Sequence, residues 1–277
     1  MDESGHGRIM LVRTRTRIVE KPWGRIDVPA TFGNFKGRRV GEIWFEDPAG
    51  DDAPLMVKFL FTSERLSIQV HPDDAAAQRA GYPRGKEECW LILSADPDAE
   101  LGVGLKAKSD AETLRRAALD GSIEDMIDWR HANVGDFVYN PAGTIHAIGP
   151  GLVLVEVQQN VDCTYRLYDY GRPRELHLDA GLAVAVPEPH SDPRDTRVDK
   201  SDNCELVGGP HFHLLHLSGS GADALLPQEK NRFSFVPLSA GCTAAGEEVR
   251  LGECVILDDA RIIALAPDAR ALLCWPT

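Results

Sequence analysis

Residues 66–90, LSIQVHPDDAAAQRAGYPRGKEECW, read as two short β-like runs separated by a polar, alanine-rich excursion. Residues i and i+2 of a strand project to the same face. Ser67, Gln69 and His71 therefore line up together. Downstream comes Lys86-Glu87-Glu88. An amide oxygen, an imidazole and a carboxylate are ligand types that suit zinc or another first-row divalent ion. Between the two runs, alanines behind Asp73-Asp74 predict a short helix, with the acidic pair capping it and complementing its dipole.

A further ligand is supplied by residues 135–149, GDFVYNPAGTIHAIG. Gly135, five residues, Pro141-x-Gly143, two residues, His146 resembles the second half of the cupin signature. Gly135-Asp136 leads into a strand, Pro141-Ala142-Gly143 makes a tight turn by preset and unusual φ values, and the next strand carries His146 inward. One histidine or glutamate alone is more often structural or solvated than metal-bound. Gln-x-His, a later Glu and this turn-borne His converge on one inward-facing site, which favours a metal centre.

With 277 residues there is room for ample core in one large or two modest domains. Hydrophobic residues make up 43% and charged residues 26%, as in an ordinary globular protein. The net charge of −13 argues against general nucleic-acid binding, though local Arg and Lys can still hold a phosphate. Six scattered cysteines without a Cys-x-x-Cys pair read as free thiols of a reducing cytoplasm. No apolar run is long enough to span a membrane, and the N-terminus lacks a signal-peptide core.

Residues 1–7 read as a loose leader, and 9–12, 20–24 and 40–45 as strand segments. PLMVKFLF (54–61) suits a buried strand, with Lys58 paired or snorkelling rather than serving a pocket. Residues 109–129 read as one or two helices, with a capping box at Ser109-Asp110-Ala111-Glu112. LVLVEVQ (152–158) is another strand. QNVDCTYRLYDYGR (159–172) carries Arg166 and Arg172, whose guanidinium forks suit phosphate and enediolate oxygens. Residues 175–185 read as a helix or connection, 187–201 as a linker, and 202–277 as short strands between turns. His211, His213 and His216 form a rival metal motif, but no matching carboxylate or Pro-x-Gly-x2-His follows; strand histidines are the simpler reading.

The expected fold is mainly β: two cupin-like β-sandwich (jelly-roll) domains with a small helical insertion. The expected boundaries are 1–190, with the insertion near 109–131, and 191–277.

Taken together, EKPWG (20–24), GEIWF (41–45), LSIQVHPDD (66–74), GKEECW (85–90), GDFVYNPAGTIHAIG (135–149) and EVQQNVDCTYRLYDYGRPRELHL (156–178) make the chain resemble the type I mannose-6-phosphate isomerases of the compact bacterial kind. The resemblance spreads over nearly the whole chain. It implies a cytoplasmic, zinc-dependent double cupin, with other divalent metals possible, that interconverts mannose 6-phosphate and fructose 6-phosphate. It places zinc ligands on Gln69, His71, Glu88 and His146, the active-site lysine on Lys86 and the catalytic arginine on Arg166. Substrate contacts fall on Ser67 and Arg172. Glu87 stands where the family usually has Thr, and either pairs with Lys86 or points away. GEIWF also departs from the family pattern, and the N-terminal region is abbreviated.

Aldose–ketose isomerisation passes through a cis-enediol(ate), so it needs charge stabilisation and a mobile base serving both carbons. Glu156, a metal-bound water and Lys86 are the candidate bases, and Arg166 the candidate stabiliser of the enediolate. Two alternatives stay open. An iron-dependent cupin oxygenase would use His71, Glu88 and His146 as a facial triad, but Gln69 as a fourth ligand argues against it. A non-catalytic sugar-phosphate-binding cupin would keep the pocket without turnover, and the presence of Lys86 with Arg166 argues against that.

Overall fold

The strand Leu152–Gln159, LVLVEVQQ, is buried along its whole length because it has partners on both edges. In a computed structural model that describes residues 10–277, it is the middle strand of a seven-stranded sheet. The order is Thr196–Arg197, Asp136–Asn140, Glu88–Ala95, Leu152–Gln159, Leu55–Phe61, Val40–Glu46, Arg15–Arg25. A second sheet of five strands runs Tyr165–Tyr168, Ile68–Val70, His146–Ile148, Glu100–Leu105, Ile127–His131. Leu60, Trp90, Ile92 and Leu154 from the first sheet share one apolar core with Leu101, Val103 and Ile148 from the second. The result is the antiparallel jelly-roll sandwich of a cupin.

Strand alternation lets the same faces carry both core and chemistry. Leu152 and Leu154 fill the core, and Glu156 on that face continues past it. The register sets Glu156 opposite Lys58 on one neighbour and Trp90 on the other. In the five-stranded sheet Gln69 lies opposite both His146 and Arg166. Ile68 and Val70, on the reverse face, pack with Leu114, Ala118 and Ile123. The helices Ala111–Asp120 and Ile123–Met126 thus cover the outer face of this sheet. Leu154 is fully buried between the sheets. Leu154→Ala is expected to lower unfolding stability by about 2–5 kcal/mol in a denaturant titration.

The chain divides into two compact units. One comprises residues 17–44 and 51–198; the other comprises 199–277 together with 45–50 and the segment up to 16. The sequence reading puts its division at 190/191, and the larger compact unit runs on to 198. Thr196–Arg197, inside the stretch read as a linker, pairs with Phe137 and Asp136 of the seven-stranded sheet. Leu11–Arg13 pairs instead with Val255–Leu257 in the smaller unit, a long-range contact that local pattern does not reveal. That unit has a six-stranded and a three-stranded antiparallel sheet around a core including Phe233, Phe235, Leu273 and Val249. The leader read at residues 1–7 lies outside the described residues.

Two local readings also shift. The helix cap is Asp110, whose carboxylate accepts from Thr113 N at 2.8 Å, rather than Ser109. The helical stretch ends at Met126, and Ile127–His131 is a strand. Asp73 caps Asp74–Arg79 as expected. None of the six cysteines forms a disulfide among the described residues. Among the described residues, no helix is long and apolar enough to cross a membrane.

Candidate metal centre and the cavity around it

His71, Glu88 and His146 arrive from three parts of the chain and bring their ligand atoms within 4.8 Å of one another, all buried. His71 follows Ile68–Val70 and holds Gly143 N through its own carbonyl at 2.9 Å, which ties it to the Pro141–Gly143 turn. Gly143 has φ +86°, and a Cβ there would press on Val186 and the carbonyl of Val184, so the turn before His146 needs glycine.

Both imidazoles are held in the tautomer a cation requires. His71 Nδ1 donates to the carbonyl of Cys163 at 3.0 Å, and His146 Nδ1 to that of Thr144 at 2.9 Å. Each Nε2 is thereby left as a lone pair turned to the centre. Burial, helped at His71 by the charge of Lys86, pulls the pKa of each ring down to about 4, so both are neutral near pH 7. Burial would raise Glu88, but the Lys86 ammonium and the two rings outweigh it and hold the carboxyl well below its usual range. Glu88 Oε1 lies 3.4 Å from His146 Nε2 and its Oε2 3.5 Å from His71 Nε2.

Gln69 lies beside the group. Its Nε2 lies 3.2 Å from His146 Nε2, and its Oε1 accepts from Ser67 Oγ at 3.1 Å. Exchanging the two amide atoms would turn Oε1 to the centre and let Nε2 donate to Ser67. Two neutral nitrogens, a carboxylate and an amide oxygen fit zinc or a similar divalent ion.

Lys86 Nζ donates to Glu88 Oε2 and lies 2.8 Å from His71 Nε2 and 3.8 Å from Glu156 Oε1. Glu87 points elsewhere: it accepts from the Tyr139 hydroxyl, while its backbone N–H donates to Gln159 Oε1 at 2.9 Å.

Beside the metal group lies a cavity of about 230 Å³. Ser67, Gln69, Lys86, Glu156 and Arg166, all singled out from the sequence, line it. Arg172 does not. Asp169, the carbonyl of Arg65 and the face of Tyr170 hold its guanidinium, and Arg174 lines the cavity instead. Lys58 is both paired and in the pocket, with Nζ 2.9 Å from Glu156 Oε1. The sequence reading missed Glu42, Trp44, Asp162 and Arg174, which also line the cavity. Lys58 inside an apolar run was the one local sign of that wall. In the rival motif, His213 stacks on Trp275 and His216 is buried with Nδ1 on the carbonyl of Asp202 at 2.8 Å; none of the three histidines joins a metal-type group among the described residues.

No family model matches the chain. Mannose-6-phosphate isomerase ManA of Bacillus subtilis is 39% identical over 234 residues, covering 78% of this chain and 74% of the relative. Mannose-6-phosphate isomerase of Streptococcus mutans is 35% identical over 204 residues, 69% of this chain and 64% of its own length. In fold, the crystal structure of a Bacillus subtilis mannose 6-phosphate isomerase superposes with a TM-score of 0.78 at 24% identity, over 95% of this chain and 99% of the other. A zinc-bound mannose 6-phosphate isomerase superposes at 0.69 with 14% identity, over 96% and 99%. Sequence likeness at this level over three quarters of a relative's length, on the same sandwich and around the donor set just described, makes the chain a member of the mannose-6-phosphate isomerase family.

Proposed function

We propose that the chain is a metal-dependent aldose–ketose isomerase that interconverts mannose 6-phosphate and fructose 6-phosphate through a cis-enediol, with zinc as its metal. The observation that carries this reading is the juxtaposition of a buried His71–Glu88–His146 group with a cavity walled by Lys86, Glu156 and Arg166. The names of the sequence relatives support it. His71, Glu88, His146 and Gln69 would hold the metal, which when bound polarises the substrate oxygens on the reacting carbons.

The chain's own groups do the rest. Lys86 and Glu156, 3.8 Å apart, supply proton-carrying atoms at the cavity wall. Trp90 Nε1 donates to Glu156 Oε2 at 3.2 Å and Lys58 pairs with Oε1, so this carboxylate is fixed in place. Arg166, opposite Gln69 in the sheet, sets a permanent positive charge beside the metal group, where an enediolate would develop negative charge. Six cysteines outside any disulfide are compatible with the cytoplasmic location read from the sequence.

The test is a coupled assay with mannose 6-phosphate on protein whose zinc content has been measured. Zinc-dependent appearance of fructose 6-phosphate is expected. Fully zinc-loaded protein without turnover would sink the assignment.

A further inference from the structure

The cations around the cavity are not equally compensated. Lys21 lies 3.5 Å from Glu42, Lys58 pairs with Glu156 and Lys86 with Glu88. Arg166 forms no ion pair among the described residues. Its Nη1 donates to the carbonyl of Glu175 at 2.7 Å, and its buried Nε has no partner. Arg174, also on the cavity wall, shares a single carboxylate, Asp169, with Arg172. Uncompensated positive charge therefore collects at the Arg166–Arg174 end.

Asp169 sorts its two arginines. It is 2% exposed and opens a turn in which Tyr170 and Gly171 both have positive φ (+53° and +76°), closed by Arg172 N on the carbonyl of Asp169 at 3.0 Å. The turn folds both arginines back onto the one carboxylate. Arg174 meets it side-on, Nε to Oδ2 at 2.5 Å and Nη2 to Oδ1 at 2.6 Å. Arg172 approaches Oδ1 from elsewhere and spends Nη2 on the carbonyl of Arg65 at 2.7 Å. A guanidinium gripped through Nε and Nη2 keeps its Nη1 donors for another acceptor.

We infer that Asp169 is a positioning residue which aims Arg174 into the cavity as the anchor for the substrate's phosphate. This rests on the sugar-phosphate isomerase reading. Arg166 sits next to Gln69 in the sheet and so faces the reacting carbons, whereas the phosphate of a hexose 6-phosphate is on the carbon farthest from C1. A second guanidinium on the same wall offers the phosphate a contact of its own, and the Asp169 carboxylate that grips it fixes its direction without needing to touch the substrate.

The experiment measures KM and kcat for mannose 6-phosphate and binding of inorganic phosphate by calorimetry, on zinc-loaded wild type, Arg174→Ala, Arg174→Lys, Asp169→Asn and the Asp169→Asn/Arg174→Ala double variant. Removing one charged hydrogen-bonding group predicts a KM raised about 10- to 100-fold in Arg174→Ala, phosphate affinity falling in parallel, and kcat within about threefold. Arg174→Lys regains part of the loss. Asp169→Asn raises KM about tenfold, and the double variant is no worse than Arg174→Ala alone, because Asp169 acts through Arg174. Unchanged KM and phosphate binding in Arg174→Ala would overturn the inference. So would additive effects in the double variant, or a loss of kcat, zinc and melting temperature together in Asp169→Asn, which would mark a merely structural role. If the wild type proves inactive as an isomerase, the phosphate calorimetry still decides for or against Arg174.

Discussion

His146→Ala is expected to lose both its metal and at least about 10³-fold in kcat/KM, because several kcal/mol of Lewis-acid stabilisation go with the ion. His146 is fully buried and its Nδ1–H is already committed to Thr144, so no other side chain can present that Nε2 lone pair. The variant also separates metal loss from misfolding. A metal bound only by the folded state stabilises it by mass action, so chelation should lower the melting temperature of the wild type by several degrees. The His146→Ala protein, already metal-free, should melt at the same temperature with and without chelator. Atomic absorption gives the metal content and a coupled assay the turnover. A chelated, demonstrably metal-free wild type with full activity would refute the metal's role, and a His146→Ala protein with a full complement of zinc would refute this ligand set.

Much of this candidate centre was legible because the residues that make it up sit where local backbone rules apply. Gln69 and His71 share a strand face by simple alternation, and His146 follows a Pro-x-Gly turn whose glycine needs a positive φ. Asp73 could be read as a cap for the same local reason. What was lost depends on contacts across sequence. Lys58 reads as an oddity inside PLMVKFLF, and only the register that sets it opposite Glu156 makes it part of the cavity wall. The sequence reading named Arg172 and did not consider Arg174, because nothing in GRPR tells which nearby arginine lines a cavity; the fold puts Arg174 there, after a turn in which Tyr170 has a positive φ unusual for a large side chain. Thr196–Arg197 hides in a stretch rich in Pro, Asp and Arg, because a two-residue edge strand is too short to show a period. The pairing of Leu11–Arg13 with Val255–Leu257 joins opposite ends of the chain and leaves no local trace.

Arg166→Ala should separate stability from catalysis. Its Nε is buried without a partner and its guanidinium forms no ion pair among the described residues, so beyond the Nη1 bond to the carbonyl of Glu175 the folded protein gains little from it. Burial, then the charge of Arg174, pulls its pKa down, which is the mark of a cation its surroundings disfavour. A group kept at such a cost is expected where activity needs it. Arg166→Ala should therefore melt within a few degrees of the wild type, or above it, and retain its zinc. Its kcat should nevertheless fall by about 10²–10³, the usual consequence of deleting one donor aimed at developing negative charge. Arg166→Lys should recover only part of this, since a point charge replaces a planar fork. The role claimed for Arg166 is in the transition state, so kcat should fall more than KM rises, the reverse of the pattern expected for Arg174. An Arg166→Ala enzyme with near-normal kcat would remove Arg166 from the chemistry and shift the task of stabilising the enediolate to the metal and to the other cations of the cavity wall, Lys86 first among them.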